Sequence, residues 1–511
     1  MVRAVASSPD RVVCVVGHAG AGKTVAIGAL ADVFRRDGYV ALGAAPSGVA
    51  AANLETESGV PSVTLHRLLS ETWGRGGLPR ECLLLVDEAG MADTRTLSKL
   101  LWQVSHADAK LVLVGDPAQL PAVGPGGLFA ALVERNGAVE LHDNHRQRSD
   151  LERQALTLLR EGASGDFLAH TAKEGRLHVA EGHTEAKARL VVDWWHAGAS
   201  DLAGSVMIAY RRSDVAELNA VARALLEREG RLGPERLRLD SGLELAPGDR
   251  VLLTRNDRAL GVANGQRGSV VAVDGDERSV GVELDDRRRL TLPGGYLDAG
   301  HVRHAYALTG HKTQGITVEY AFVLAPGDGS LKEWGYVALS RARSDTHVYM
   351  VEREIDPDAS PHRPEPQGPV ERLADALTRS AAQTLATDTT RSSNPETFAR
   401  RARLLRDRRQ PLEERRDKAA RDLHQATRDL ASLGPIGRTR HARRLRHEIG
   451  ERRERLAGLD RGLEQLEHEV RATRERANEL HRSQPQPERG FGREHELDRT
   501  PERGLSRGIE L

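Results

Sequence analysis

A glycine-rich stretch near the start of the chain has the composition and spacing needed to bind phosphate. Its sequence, GHAGAGKT over residues 17–24, fits the pattern GxxxxGK[ST]. The glycines at 17, 20 and 22 let the backbone curl around a polyphosphate so that several N–H groups face its oxygens. Lys23 would reach the β- and γ-phosphates, and the Thr24 hydroxyl would bind Mg²⁺. The stretch therefore predicts a nucleoside triphosphate site formed by Gly17, Gly20, Gly22, Lys23 and Thr24.

Two acidic residues, Asp87 and Glu88, follow the apolar run Cys82 to Val86. Taken alone, such a pair commonly marks only the end of a strand. After a phosphate loop, however, it is typical of a hydrolytic site. Asp87 would hold Mg²⁺ through water, and Glu88 would take a proton from the attacking water. The two motifs together predict hydrolysis of the terminal phosphate.

Alternating strands and helices are expected to position these residues. Short β-branched and apolar runs predict buried strands, and longer runs with helical spacing predict the helices between them. This order is typical of a parallel sheet whose ligand lies at the carboxyl ends of the strands. The predicted elements of this first α/β domain, residues 1–150, are strands over 12–16, 39–45, 82–86 and 111–114, a helix over 25–36 and a helix opening at 64–69.

A second α/β domain is predicted over residues 151–352. Its strands are expected at 205–209, 320–324 and 347–351, and its helices at 215–228 and 334–340. Between about 243 and 300, short alternating runs separated by Pro-Gly-Asp, Asn-Gly and Asp-Gly turns interrupt this pattern. The interruption predicts a small β-barrel inserted into the second domain.

Three further segments are predicted beyond residue 352. Residues 353–397 are weakly periodic and read as a linker. Residues 398–481 contain two leucine-bearing amphipathic arms around Gly434 to Gly437, which indicates a helical coiled-coil hairpin. Its excess of basic over acidic residues favours a solvated coiled-coil face over a contact with a phosphate backbone. Residues 482–511 are polar and poor in aromatic residues, so a disordered tail is expected.

The totals of the 511-residue chain limit the possible functions. Basic and acidic residues both number 74, so nucleic-acid binding cannot rest on the net charge and must come from local charge. The two cysteines, Cys14 and Cys82, fall in predicted core strands and are expected to be buried. No apolar run approaches the ~20 residues that span a bilayer, and no signal-peptide core is present. These features predict a cytoplasmic protein without membrane contact.

Several blocks taken together resemble the superfamily 1 helicases of the RecD-like branch, which move 5′→3′. The similarity covers roughly residues 10–352 and is strongest to the helicase part of TraA/TrwC-type conjugative relaxases. The matching blocks, in chain order, are Gly17 to Thr24, Ala45 to Gly48 with Ala51 and Asn53, Thr64 with His66, Asp87 with Glu88, Gly115 to Pro121, Asn144 to Gln147, Thr309 to Gly315, and Tyr336 to Arg343.

The resemblance implies two RecA-like P-loop domains with an inserted SH3-like barrel, and ATP with Mg²⁺ bound between the domains. It implies that Gln119 senses the γ-phosphate and that Arg146 and Arg341 neutralise its charge when the cleft closes. Lys23 and Glu88 complete the implied catalytic set, and Thr24 and Asp87 are the implied Mg²⁺ residues. The implied nucleotide-binding residues are Gly17, Gly20, Gly22, Lys23, Thr24, Asp87 and Gly315.

The resemblance also implies a DNA partner, either single-stranded DNA or a junction of duplex and single strand. Conjugation or repair proteins would bind through the C-terminal hairpin, and the function would lie in conjugative transfer or DNA repair. The implied DNA-binding residues are Pro46, Ser47, Thr64, His66, Thr309 and His311.

Three departures from the family pattern shape the remaining expectations. The sixteen residues before Gly17 contain no glutamine of the kind that reads adenine in the family. The segment Glu71 to Arg80 is short for a strand-splitting hairpin, so translocation is expected more firmly than unwinding. No relaxase motif precedes the helicase blocks, so nicking is not expected. The alternative is a non-enzymatic remnant of a relaxase-helicase that binds DNA or transfer proteins.

Overall fold

The computed structural model describes residues 1–73, 77–141, 144–352 and 368–383, together with residue 385 and a set of positions between 409 and 471. These belong to two compact units, Met1–Leu385 and Ala386–Leu511. Within the first unit, "first half" denotes residues 1–149 and "second half" denotes residues 150–352. Among the described residues, no helix is both long and apolar enough to cross a membrane.

The first half contains a six-stranded sheet in the order β3-β2-β4-β5-β1-β6, and all of its strand pairs are parallel. The central strands are buried on both faces because helices cover the two sides, as a parallel sheet requires. Its elements are α1 (Val2–Ala6), β1 (Val12–Gly17), α2 (Lys23–Arg36), β2 (Val40–Ala45), α3 (Gly48–Ser58), β3 (Ser62–Thr64), α4 (Leu65–Trp73), β4 (Cys82–Val86), α5 (Thr94–Ala107), β5 (Lys110–Gly115), α6 (Leu128–Asn136) and β6 (Val139–Leu141).

The second half contains a five-stranded parallel sheet in the order β16-β8-β17-β18-β7. The inserted residues form a hairpin of β9 with β10 and an antiparallel sheet in the order β14-β13-β12-β11-β15. The elements of this half are α7 (Asp150–Glu161), α8 (Ser164–Lys173), β7 (Leu177–Ala180), α9 (His183–Ala197), β8 (Ser205–Ala209), α10 (Arg212–Arg228), β9 (Leu237–Arg238), β10 (Glu244–Leu245), β11 (Arg250–Leu253), β12 (Arg267–Asp274), β13 (Ser279–Leu284), β14 (Arg289–Leu292), α11 (Gly294–Asp298), β15 (Val302–His304), β16 (Ala307–Thr309), α12 (Gly310–Thr313), β17 (Val318–Leu324), α13 (Lys332–Leu339) and β18 (Ala342–Val351).

The predicted α/β class with parallel sheets is confirmed, and most predicted elements lie within a few residues of their positions. Two details of the second half differ. The last strand, β18, begins five residues before the predicted 347, because it follows directly on the turn that ends α13. The inserted sheet extends beyond its predicted end near residue 300, because β15 ends at His304, which pairs with Val251.

The prediction of a linker over residues 353–397 is wrong for residues 369–378, which form α14 (Pro369–Thr378). Leu373, Ala376 and Leu377 are buried in the core of the second half, and α14 starts with proline at its first turn, where that residue is well tolerated. The helix was missed because its apolar stripe is short.

The two halves share a core at their junction. Ala19 of the phosphate loop and Leu120 belong to the same buried cluster as Leu156 and Tyr336 of the second half. Both cysteines are buried and free, Cys14 in β1 and Cys82 in β4, as predicted. The active-site loops at the end of β1 therefore rest directly on the second half.

In the second unit the described residues include helical stretches over 416–429 and 447–450. Pairs of described residues connect its two predicted arms. Arg409 contacts Glu467 at 2.8 Å and Arg416 contacts Asp460 at 2.9 Å. The remaining residues of the predicted hairpin and the predicted tail lie outside the described residues.

Candidate nucleotide site and DNA-facing surface

The phosphate loop connects the buried strand β1 to helix α2. A Cβ atom at Gly17 would lie 2.6 Å from Cγ of Lys23, so only glycine leaves room for the lysine stem. Gly20 has a φ of +80° and Gly22 a φ of +67°, which L-residues rarely adopt. The glycines therefore permit both the curvature of the loop and the close approach of the Lys23 side chain to it.

Lys23 begins α2 and turns back over the loop that precedes it. Its Nζ atom donates to the carbonyl oxygen of Gly17 at 3.2 Å and to that of His18 at 3.4 Å. The ammonium group is thus held at the amino end of α2, where the helix dipole already favours an anion.

The predicted Mg²⁺ residues fit a cation by their chemistry. Asp87 is 8% exposed at the end of β4, and its Oδ1 atom accepts the N–H of Glu88 at 2.9 Å. Burial and the neighbouring charge of Glu88 raise the pKa of Asp87 to about 6. Two crowded carboxylates of this kind favour a divalent cation, and the Thr24 hydroxyl lines the same cavity.

A cavity of about 460 Å³ brings together the predicted nucleotide residues except Gly17, which does not line it. It lies between the phosphate loop, the start of α3, the end of β4 and two segments of the second half. Its lining comprises Gly20, Ala21, Gly22, Lys23, Thr24, Ala50, Asn53, Glu57, Asp87, Glu88, His145, Arg146, Arg148, Gly315, Thr317 and Arg343.

Arg146 lies between the two halves. A Cβ atom at Gly20 would come within 2.6 Å of Cβ of Arg146, so the phosphate loop and this arginine are in close contact. The guanidinium donates to the carbonyl oxygen of Ser340 at 3.0 Å, and burial lowers the pKa of Arg146. Arg146 thus lines the cavity, as its predicted role at the γ-phosphate requires.

Arg341 does not line the cavity. It is 1% exposed, and its guanidinium donates to the carbonyl of Val337 at 2.6 Å, to that of Thr313 at 3.4 Å and to the hydroxyl of Ser340 at 2.9 Å. Burial and the nearby charge of Arg146 lower its pKa to about 9. Arg343, two residues later, lines the cavity instead.

Gln119 is buried at the end of the β5 loop and meets the second half through Gln314. The side-chain amide of Gln314 donates to Oε2 of Glu88 at 3.2 Å and to Oε1 of Gln119 at 3.5 Å. The next residue, Gly315, lines the nucleotide cavity with a φ of +79°. The predicted base and the predicted sensor are therefore joined by one amide group.

Two of the predicted DNA-binding hydroxyls are used as helix caps. The Oγ atom of Ser47 accepts the N–H of Ala50 at 3.1 Å at the start of α3. The Oγ1 atom of Thr64 accepts the N–H of Arg67 at 3.2 Å at the start of α4. These bonds explain the two residues locally, because Ser and Thr are favoured at helix N-termini. Pro46 directly precedes Ser47 on the same loop, and His66 lines a separate cavity of about 1080 Å³ beside α5.

The remaining predicted DNA residues, Thr309 and His311, lie at α12. Thr309 is the N-cap position of this four-residue helix. Burial and the charge of Arg212 lower the pKa of His311. The pKa of Lys312 is lowered by burial and by the charges of both Arg303 and Arg212. The cations Arg212, Arg303 and Lys312, together with the His311 imidazole, form a cluster that is called the α12 cluster below.

The loop between β11 and β12 of the inserted sheet contacts both halves. Nζ of Lys312 donates to Oδ1 of Asn264 at 3.0 Å. On the other side, a Cβ atom at Gly48 would lie 2.9 Å from Oδ1 of Asn256, and one at Gly265 would lie 3.2 Å from Cγ2 of Val49. The loop therefore connects the start of α3, next to Pro46 and Ser47, with α12.

Among the residues at the site, Glu57, Gln314 and Arg343 had no role assigned from the sequence. Glu57 and Arg343 line the nucleotide cavity, and Gln314 contacts Glu88. Gln314 and Arg343 lie inside blocks that carried the resemblance, so the signal was present. Glu57 lies near the end of α3, and its sequence gives no signal for the site.

Several known proteins are similar to this chain in sequence. A family model described as an AAA domain matches residues 1–182. A probable conjugal transfer protein TraA of Sinorhizobium fredii is 35% identical over 344 residues, which cover 66% of this chain and 31% of that protein. The chain thus spans about a third of the length of this relative.

A RecBCD enzyme subunit RecD of Mycolicibacterium smegmatis is 29% identical over 392 residues, covering 66% of this chain and 68% of that protein. Among solved structures, a Bacteroides Pif1 bound to ssDNA is 22% identical, with a TM-score of 0.46, and covers 68% of this chain and 90% of that chain. By its sequence relatives, this chain is similar to the RecD-like helicases of superfamily 1 and to the TraA conjugal transfer proteins.

Proposed function

We propose that this chain is an ATP-dependent motor that moves along single-stranded DNA and acts as a DNA helicase. The observation that carries the proposal is the cavity of about 460 Å³, where Lys23, Asp87 and Glu88 of the first half face Arg343 of the second half. Arg146, at the junction of the halves, lines the same cavity. Charge from both halves can then act on one terminal phosphate.

In this proposal each group has one task in hydrolysis. Lys23 and the loop N–H groups hold the β- and γ-phosphates. Thr24 and Asp87 would hold Mg²⁺, which would neutralise phosphate charge during hydrolysis. Glu88 accepts a proton from the attacking water, and the arginines stabilise the charge that develops on the γ-phosphate.

Electrostatics and contacts support a DNA site on the surface that carries α12. The cations Arg303 and Arg212 both lower the pKa of Lys312, so a polyanion there would relieve their mutual repulsion. The loop that binds Lys312 also contacts Gly48, beside Pro46 and Ser47. A DNA strand on this surface would contact both halves. Opening and closing the cleft would then move the DNA contacts of one half relative to those of the other.

The finer assignments follow from the relatives. We propose 5′→3′ movement, as implied by the RecD-like resemblance, and a role in conjugal transfer or DNA repair, as the names of the TraA and RecD relatives suggest. We also propose that the inserted sheet closes into an SH3-like barrel and that residues 398–481 form an antiparallel hairpin that binds partner proteins. The pairs Arg409 with Glu467 and Arg416 with Asp460 support antiparallel arms.

The test is phosphate release from ATP with and without an oligo-dT strand. We expect hydrolysis stimulated by the strand, abolished in Lys23→Ala, and lowered about 10²- to 10⁴-fold in Glu88→Gln, which removes the general base. Glu88→Gln should keep its affinity for nucleotide, measured with a fluorescent ATP analogue. Equal hydrolysis with and without DNA would contradict the motor, and absence of ATP binding would favour the non-enzymatic remnant. Duplexes with a 5′ or a 3′ overhang then decide the direction.

A further inference from the structure

Gln314 connects three elements that otherwise have separate roles. It is the C-cap residue of α12, and its Nε2 atom donates to Glu88 at 3.2 Å and to Gln119 at 3.5 Å. Both partners belong to the first half, whereas α12 belongs to the second half. The amide nitrogen must face these two oxygens, because a carboxylate only accepts hydrogen bonds.

Helix α12 is held firmly enough to transmit a displacement. A Cβ atom at Gly310 would lie 2.3 Å from Nε1 of Trp334, so the helix packs against α13 without free space. Oγ1 of Thr313 donates to the carbonyl of Gly310 at 2.8 Å, and Arg341 donates to the carbonyl of Thr313 at 3.4 Å. Arg341 thus supports the last residue of α12 through a hydrogen bond.

Helix α12 also carries two residues of the α12 cluster, His311 and Lys312. Lys312 lies two residues before Gln314, and its Nζ atom donates to Oδ1 of Asn264 of the inserted sheet at 3.0 Å. The basic side chain and the amide that contacts Glu88 therefore belong to one short segment.

We propose that Gln314 is the positioning residue for Glu88 and that it links occupancy of the DNA surface to the orientation of this carboxylate. This inference rests on the proposed function. A general base is effective only when it is aligned with the attacking water, and a displacement near 1 Å costs about 10²-fold in rate. DNA bound at Lys312 would set that alignment through Gln314, which explains in physical terms why a DNA strand would accelerate hydrolysis.

The test uses two substitutions in the full chain, Gln314→Met and Gln314→Glu. Gln314→Met keeps the length of the side chain but cannot donate. With oligo-dT present, we expect its kcat for ATP to fall about 10- to 100-fold. Its KM for ATP and its affinity for oligo-dT, measured by fluorescence anisotropy, should stay at the wild-type values, because Gln314 lines neither site in this proposal.

Gln314→Glu separates positioning from a merely structural role. Glutamate has the size and shape of glutamine, but its carboxylate cannot donate to Glu88 and repels it, so the kcat of Gln314→Glu should fall at least as far as that of Gln314→Met. If Gln314 served packing alone, this isosteric substitution would leave kcat near the wild-type value. Gln425→Met is the matched control, because Gln425 pairs with Asp429 on an exposed helix of the second unit.

The outcomes distinguish failure of the proposed function from failure of the proposed role of Gln314. If the wild-type chain shows no DNA-stimulated hydrolysis, the proposed function fails and this inference fails with it. If the wild type is stimulated and Gln314→Met keeps its kcat and its stimulation, only the role of Gln314 is overturned. Should Gln314→Met not fold, the kcat of the isosteric Gln314→Glu decides, and a wild-type kcat in that variant overturns the role.

Discussion

The two halves of the first unit have the same architecture but contribute different chemistry. In the first half, strand β1 ends in a glycine loop and the helix that follows begins with Lys23. In the second half, strand β8 ends at Ala209, and α10 begins after Arg211 with no glycine between them. A non-glycine turn cannot bring several N–H groups around a phosphate. The second half instead contributes side chains, among them Arg343 and Gln314.

This difference shows that the parallel sheet does not itself define the site. Both sheets place loops at the carboxyl ends of their strands, where ligands bind in such folds. The residues on those loops decide whether a half cradles a phosphate or completes the neighbour's site. Because the two halves contribute different residues, we expect different effects from substitutions in the catalytic side chains, the DNA surface and the core of the second half.

The largest expected effect distinguishes Arg343, which lines the cavity, from Arg341, which does not. Arg343→Ala should lower the kcat for ATP hydrolysis by about 10³-fold or more, because a cation supplied to the γ-phosphate contributes 10³–10⁵ in rate. Arg341→Ala should instead lower the melting temperature, since it removes hydrogen bonds to the carbonyls of Val337 and Thr313. Steady-state kinetics and thermal unfolding measure the two effects.

The exposed Arg228, which pairs with Glu229 at the end of α10, provides the control for an arginine-to-alanine change. A folded Arg341→Ala protein without activity, beside an active Arg343→Ala protein, would restore the sequence-based assignment of Arg341. It would also show that the second half reorganises before hydrolysis.

A smaller effect is expected at the DNA surface of the second half. Lys312→Ala should weaken binding of oligo-dT and reduce the slope of log K against log[salt] by about 0.7, the value for one phosphate contact on a single strand. Lys187→Ala is the control, because Lys187 is already neutralised by Asp214 at 2.7 Å and Glu217 at 2.6 Å. Anisotropy titrations at several salt concentrations measure the slope. An unchanged slope in Lys312→Ala would place the strand elsewhere.

The smallest effect concerns stability and pH. His178 and His347 lie in neighbouring strands of the second sheet, with Nε2 and Nδ1 at 3.3 Å and their rings stacked. Burial, with the charge of Arg189, lowers the pKa of His178 to about 4, although Asp193 opposes the shift. The unfolded chain binds a proton near pH 6.5, so the free energy of unfolding should fall as the pH drops from about 6.5 to 4.

Each pKa unit corresponds to about 1.4 kcal/mol, so the loss amounts to a few kcal/mol at most. Urea unfolding between pH 4 and 7 measures this effect. His178→Phe keeps an aromatic ring in the stack but cannot titrate, so its stability should depend less on pH. An identical pH dependence in both proteins would assign the acid sensitivity to other groups.

The sequence predicted the catalytic motifs of the first half because their chemistry depends on local spacing. The residues of the glycine loop are contiguous in the chain, and so are Asp87 and Glu88. A buried strand precedes each motif. Local spacing does not show which of Arg341 and Arg343 lines the cavity. The two side chains differ because Arg341 is held by hydrogen bonds to the carbonyls of Val337 and Thr313, which the fold brings close to it.

The same limit applies to longer-range features. Helix α14 was missed because its ten residues acquire their stability from burial of Leu373 and Leu377 in the second half, not from a strong local pattern. Gln314 was quoted within a motif but had no assigned partner, since its contacts to Glu88 and Gln119 cross between the halves.

Helix α14 has one consequence for the motion between the halves. It is anchored in the second half, yet Oε1 of Gln383, five residues after its end, accepts the N–H of Gly126 in the first half at 3.0 Å. The segment after α14 therefore connects the two halves by a hydrogen bond. In the proposed motor, any rotation of the halves that separates Gly126 from Gln383 must first break this bond.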